Sequence, residues 1–226
     1  MRGFFVTGTD TGVGKTRVSA GLLKALSKAG HKTVGMKPVA SGAEQIADGP
    51  RNEDALELQR AASLKRDYSL VNPYCFAPPI APHIAALDAQ VEISLDPIRA
   101  AFAELCRDAD AVVVEGVGGW QVPLSPSLEL PDLAREFGLP VLLVVGLRLG
   151  CLNHALLTAR AIRADGLELA GWVANAIDPG FQRPEANLAT LAAELGTPLL
   201  GALPHAPKMR VDESAALLKS AAEALA

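Results

Sequence analysis

Short, wholly apolar runs alternate along this chain with stretches in which apolar residues recur every three to four positions. Residues 4–6, 32–36, 111–114, 141–145, 169–174 and 198–203 read as strands. After the first of them, Val18, Leu22, Ala25, Leu26 and Ala29 follow one helical face, and Gly30 is placed to close that helix. The same periodicity predicts helices near residues 53–62, 96–106, 152–164, 185–195 and 212–225. Asp96 before Pro97 is a start signal, with the carboxylate read as the cap and proline in the first turn. Strands without polar alternation are buried on both faces, so the pattern predicts an α/β fold: a mainly parallel sheet with helices on both sides.

Proline- and glycine-rich segments fall at residues 42–52, 72–82, 178–184 and 204–207. Each follows a strand or joins two elements, and none reads as an interdomain linker. A single domain over residues 1–226 is expected, with its ligand site in the loops beyond the carboxyl ends of the strands.

Composition narrows the partners. Half of the residues are apolar, and 25 acidic against 21 basic side chains leave a net charge of −4 with no long basic run. Such a surface does not suit nucleic acid. The longest apolar stretch ends at Arg148, far short of the roughly 18–20 residues that cross a bilayer. The amino-terminal run turns polar at Thr7, too early for a signal peptide, so no membrane partner and a cytoplasmic location are expected. The 3 cysteines, Cys75, Cys106 and Cys151, fit neither a disulfide framework nor a CxxC metal site.

Candidate chemistry begins directly after the first strand, at Gly8-Thr9-Asp10-Thr11-Gly12-Val13-Gly14-Lys15-Thr16. Glycines let successive backbone N–H groups turn toward phosphate oxygens, and the helix that starts near Gly14 adds partial positive charge. Lys15 can reach the β- and γ-phosphates, and the Thr16 hydroxyl can ligate Mg²⁺. Gly8 stands one position too early for the strict phosphate-loop pattern, so this is a variant loop of a P-loop NTPase-like fold. Gly12-Val13-Gly14 followed by Arg17 does not complete a dinucleotide fingerprint.

A second magnesium ligand is expected, and Glu115 stands where the strand at 111–114 ends. Gly116, Gly118 and Gly119 after it would let the backbone approach a ligand. Asp54 opens a helix, where capping and metal ligation are both open readings.

Seven segments, in order, resemble the dethiobiotin synthetase family: residues 5–16 (FVTGTDTGVGKT), 36–42 (MKPVASG), 51–55 (RNEDA), 71–74 (VNPY), 114–120 (VEGVGGW), 143–155 (LVVGLRLGCLNHA) and 170–176 (AGWVANA). The resemblance implies a single ATP-binding synthetase that joins CO₂ to 7,8-diaminononanoate as a carbamate, phosphorylates the carbamate with ATP, and closes the ureido ring. It implies Lys37, Lys15 and Thr11 as catalytic contacts and Thr16, Asp54 and Glu115 as Mg²⁺ ligands. Nucleotide contacts are implied at Gly12, Val13, Gly14, Lys15, Thr16, Arg17, Asp54, Glu115, Gly116, Val117 and Gly118. Around the base it implies Asn175, Ala176, Pro204, His205 and Ala206, with the Asn175 amide pairing both donor and acceptor to the adenine edge. Ser41 is implied as a substrate contact. The amino end of the helix at Gly150, Cys151, Leu152 and Asn153 is implied to bind the substrate carboxylate through free N–H groups across a homodimer interface. Beyond His205 the resemblance fades, and nucleotide contacts near Val211 stay open.

A competing reading is a nucleotide-switch ATPase of the partition and division-site class, whose loop also ends in Gly-Val-Gly-Lys-Thr. Those proteins carry an extra lysine early in the loop, whereas no lysine lies between Arg2 and Lys15.

Overall fold

The computed structural model describes residues 2–225; Met1 and Ala226, the two ends of the domain expected over 1–226, lie outside the described residues. The chain runs β1 (Arg2–Gly8), α1 (Lys15–Lys28) and β2 (Thr33–Met36), then a series of small elements. These are β3 (Val39–Ser41), β4 (Glu44–Ile46), β5 (Gly49–Arg51), α2 (Glu53–Ala61), α3 (Tyr68–Val71), β6 (Tyr74–Phe76), α4 (Pro82–Asp88) and α5 (Leu95–Leu105). It continues through β7 (Ala111–Glu115), β8 (Pro123–Ser125), β9 (Leu128–Glu129), α6 (Leu130–Phe137), β10 (Val141–Leu147) and α7 (Cys151–Ala164). It ends with β11 (Leu169–Ala176), α8 (Pro184–Glu194), β12 (Leu199–Leu203), α9 (Val211–Leu217) and α10 (Lys219–Glu223).

The main sheet has the order β12-β11-β10-β1-β7-β2 with every pairing parallel. Its strands are those the apolar runs predicted. Alternate residues enter opposite cores: Phe4, Val6, Val113 and Val144 pack on one side, and Phe5, Val112, Val114 and Val145 on the other. This two-sided burial explains why the strands lack polar alternation. From β1 the chain moves out to β2 and back through β7 on one side, then crosses to β10 on the other. The crevice at that reversal is where open α/β sheets bind ligands, and the phosphate loop after β1 sits in it.

Local signals account for several boundaries. Gly30, at φ 95°, ends α1, and the next amide, of His31, donates to Leu26 O at 3.1 Å. Asp96 corrects its expected role: Ser94 precedes α5, and the Asp96 carboxylate lies inside the first turn, accepting from Arg99 Nη1 at 2.7 Å. The expected last helix divides at Leu218 (φ −111°, ψ 18°) into α9 and α10. Helix α6 has no counterpart in the sequence reading, although Pro131 in its first turn and Gly138 in the left-handed conformation beyond its end mark both termini.

Candidate active site

Loops and helix ends beyond the carboxyl end of the sheet line an open cavity of about 1150 Å³. The phosphate loop forms its floor. Gly14 (φ 92°) caps α1 in a conformation that favours glycine. A side chain there is blocked twice, because a Cβ would stand 2.1 Å from Asn175 Nδ2. Gly12 has φ 75°, with open space around it.

Lys15 is buried, and its ammonium donates to Gly118 O (2.6 Å) and Asp10 O (3.0 Å). It thus joins the phosphate loop to the glycine turn after β7, where Gly118 has φ 65°. Burial, and then the neighbouring Lys37 charge, lower its pKa to about 8. Asp10 is fixed in turn by Arg148, to which it is ion-paired, and by the Thr11 N–H at 2.7 Å.

Lys37 follows β2 and is 4% exposed. Its Nζ donates to Glu115 Oε1 at 2.6 Å and lies 3.0 Å from Asp54 Oδ2, and the Thr16 hydroxyl donates to the same Glu115 oxygen at 2.9 Å. Burial by itself would lower the Lys37 pKa, but the paired Glu115 and Asp54 carboxylates raise it above the ordinary lysine value. Burial likewise opposes ionisation of Asp54, and Lys37 overrides it, holding that carboxyl below its usual value. Asp54 does not cap α2; Asn52 does, accepting the Ala55 N–H at 3.3 Å. Asp54 is left free to face the cavity.

The three residues expected to hold Mg²⁺ therefore converge. Glu115 Oε2 is buried and has no hydrogen-bond partner among the described residues, which is what a carboxylate awaiting a cation would show. No cluster of three or more His, Cys, Asp or Glu is arranged to hold a metal among the described residues. Two carboxylates and a hydroxyl suit Mg²⁺, which keeps waters and phosphate oxygens in its remaining positions.

Thr11, Gly12, Gly14, Arg17, Ser41, Val117, Gly118, Asn175, Ala176 and His205 also line the cavity. Ser41 Oγ is buried and without a partner among the described residues. Asn175 lies within β11 rather than after it, and its Nδ2 donates to Val13 O at 2.8 Å. The donor is committed to the phosphate loop, and Oδ1 remains buried and unpaired among the described residues. The two-way amide pairing expected at the base thus reduces to an acceptor. His205 Nδ1 lies 3.2 Å from Ala176 O.

Other expected contacts fall outside the cavity wall. The Val13 side chain is buried beneath the loop, the Gly116 N–H donates to Val6 O at 2.9 Å, and neither Pro204 nor Ala206 lines the cavity. Gly150, Cys151, Leu152 and Asn153 also stand away from it. There the Cys151 N–H is not free, since it donates to Arg148 O at 3.0 Å. Sequence reasoning missed Glu57, the 79–82 segment, Val122, Ile177, Pro207, Met209, Val211 and Ser214, which also line the wall. Glu57 had a legible signal, standing three residues after Asp54 on the same helical face; burial raises its pKa.

The AAA domain family matches residues 2–212. An ATP-dependent dethiobiotin synthetase BioD of Pseudomonas aeruginosa (strain UCBPP-PA14) is 57% identical over 206 residues, covering 91% of this chain and 90% of that protein. One from Xanthomonas euvesicatoria pv. vesicatoria (strain 85-10) is 55% identical over 204 residues, covering 90% and 91%. Among solved structures, the MinC:MinD cell division protein complex of Aquifex aeolicus superposes with a TM-score of 0.60 at 13% identity, covering 99% of this chain and 95% of that chain. MinD with Mg-ADP from Pyrococcus horikoshii OT3 gives 0.58 at 17%, covering 98% and 95%. At such low identity these structures speak for the fold alone.

Proposed function

Because the chain belongs to the ATP-dependent dethiobiotin synthetase family, we propose that its cavity converts 7,8-diaminononanoate, CO₂ and ATP into dethiobiotin, ADP and phosphate. It is an ATP- and Mg²⁺-dependent ligase of biotin biosynthesis. The observation that carries the mechanistic reading is the single cluster of Lys15, Lys37, Thr16, Asp54 and Glu115 on the cavity floor.

The chemical difficulty is repulsion. One amine of the diamine adds to CO₂ and loses a proton, giving a carbamate anion that must attack an anionic γ-phosphoryl group. Positioning and charge neutralisation therefore supply most of the catalysis. Lys37 holds the carbamate and the transferring phosphoryl from a stiff base, since Pro38 follows it and its own N–H donates to Val71 O at 2.8 Å. Lys15 and Thr11 hold phosphate oxygens. Lys15 and Lys37 are balanced in charge by Asp54 and Glu115, so the floor alone offers no net positive charge. Thr16, Asp54 and Glu115 would hold Mg²⁺, which when bound would supply that missing charge at the phosphates. Ser41, with its unpaired hydroxyl, holds the diamine in line. The second amine then attacks the activated carbonyl, and phosphate leaves.

The active unit is a homodimer in this reading. Leu149, beside the amino end of α7, is 92% exposed, and Leu157 on the same helix is also exposed. Burying them against a second copy would bring the partner's α7 terminus, with its Leu152 and Asn153 amides, to the carboxylate tail of the substrate. The substrates are small molecules, without nucleic acid or membrane. No helix among the described residues is long and apolar enough to cross a membrane, and the reading keeps the enzyme in the cytoplasm.

The switch-ATPase alternative shares the fold, but this chain lacks the early loop lysine that such proteins carry. Phosphate release measured with purified protein separates the two: it should require both the diamine and bicarbonate. ATP turnover indifferent to the diamine would overturn the synthetase reading.

A further inference from the structure

Lys37, Ser41 and Asp54 come from different segments, after β2, at the end of β3 and in the first turn of α2, yet the chemistry needs them at constant separation. A single phenolic oxygen lies between those segments. Tyr68 Oη, in α3, accepts from the Asn52 N–H at 2.7 Å and donates to Asn72 Oδ1 at 2.9 Å. Asn52 caps α2, which carries Asp54, and its Nδ2 donates to Ser41 O at 3.3 Å. On the other side Asn72 Nδ2 donates to Lys37 O at 2.6 Å and Tyr74 O at 3.0 Å. Asn52 and Asn72 are 6% and 3% exposed, so water does not readily replace these bonds. The ring is held by the Arg51 guanidinium, 4.4 Å from its centre. Tyr68 does not line the cavity.

We propose that Tyr68 is a positioning residue, whose hydroxyl holds the Lys37 segment and the Asp54 helix at the spacing that phosphoryl transfer requires. The inference rests on the roles given to Lys37 and Asp54 above. Removing the hydroxyl leaves the Asn52 N–H and the Asn72 side-chain carbonyl oxygen without this partner in a partly buried setting, and pairing within the protein is recovered only by moving. Because these two groups anchor opposite sides of the site, relaxation displaces reacting groups rather than surface loops.

In the full-length protein, Tyr68→Phe keeps the ring and its Arg51 contact. The expected result is a fall in kcat of about 10–100-fold, as for other residues that orient a site from behind. KM for ATP should stay within about twofold, because the phosphate loop is untouched, and half-saturation by Mg²⁺ should move to higher concentration, because Asp54 is displaced. Ile98→Val, a methyl loss in helix α5, which packs on α3, controls for loss of stability. It should lower Tm while leaving kcat within about twofold. A Tyr68→Phe protein with normal kcat and Mg²⁺ dependence overturns the inference, as does an equal kcat loss in Ile98→Val. If Tyr68→Phe is not recovered folded, Asn72→Asp carries the test. It keeps the acceptor for Tyr68 but removes the donor to Lys37 O, and normal kcat there overturns the inference too. A parent protein without diamine- and bicarbonate-dependent phosphate release overturns the functional reading and this inference with it, whereas an active parent with an unaffected Tyr68→Phe overturns this inference alone.

Discussion

Lys37 Nζ and Glu115 Oε1 stand 2.6 Å apart across the carboxyl ends of β2 and β7, neighbouring strands of the sheet, and both side chains are withdrawn from water. Parallel pairing of Met36 with Val114 sets the next residue of each strand opposite the other. The strand register thus brings a cation and an anion together before any ligand arrives.

Removing the cation should affect both turnover and stability. Lys37→Ala is expected to lower kcat by about 10²–10³-fold, the cost of deleting a preorganised donor. It also leaves Glu115 without its cation, which should destabilise the fold by on the order of 3 kcal/mol. Steady-state phosphate release and urea denaturation measure the two effects, and near-normal turnover would exclude Lys37 from catalysis.

Lys15 should reveal itself through protons. Its pKa of about 8 lies below the ordinary 10.5, so between those pH values the unfolded chain carries more protons at this residue than the folded one. The Lys15 contribution therefore makes stability rise with pH across that window. A triphosphate beside the ammonium favours its charged form, so nucleotide binding at pH 9 should take up protons. Calorimetry in buffers of different ionisation enthalpy reads that uptake, and Lys15→Arg should abolish it, since arginine stays charged.

Two glycines of the phosphate loop should respond differently to the same methyl group. Gly12→Ala meets only backbone strain, of about 1 kcal/mol for a left-handed alanine, because nothing lies within 4 Å of the new Cβ. Gly14→Ala adds a clash with Asn175 Nδ2 at 2.1 Å. Nucleotide affinity should fall more than tenfold in Gly14→Ala and less than that in Gly12→Ala, an ordering that equilibrium titration can reverse.

The proposed dimer depends on apolar surface around α7. Leu149→Asp places a charge on a side chain that is 92% exposed in the single chain, so it should leave the monomer fold intact. Sedimentation should show a shift toward monomer, with KM for the diamine raised and ATP binding retained. An unchanged sedimentation coefficient would remove Leu149 from the interface.

Much of this protein was legible as a string because the relevant physics is short-range. The main-sheet strands declare themselves by uninterrupted apolar residues, α1 by its periodicity and Gly30, and the phosphate loop by glycines next to Lys15 and Thr16. Glu115 was legible for a related reason, since it stands where an apolar run stops and the chain must leave the sheet, whereas Lys37 was singled out only by the family resemblance. The three-residue strands β3 to β6 were not, because so short a pair has no stability of its own and forms only where the surrounding core holds it. The same limit hid the partner choices. Whether Asp54 caps a helix or faces Lys37 turns on Asn52 taking the cap, whether Asn175 is free at the base turns on Val13 O lying 2.8 Å away, and Val211 and Ser214 reach the cavity only because α9 packs on α1. Sequence determined which segments are strand, helix and phosphate loop, since those are set by neighbours along the chain. Only the tertiary structure decided which donor meets which acceptor, because a hydrogen bond is satisfied by distance in space and each buried group can be satisfied by whichever partner the fold brings within reach.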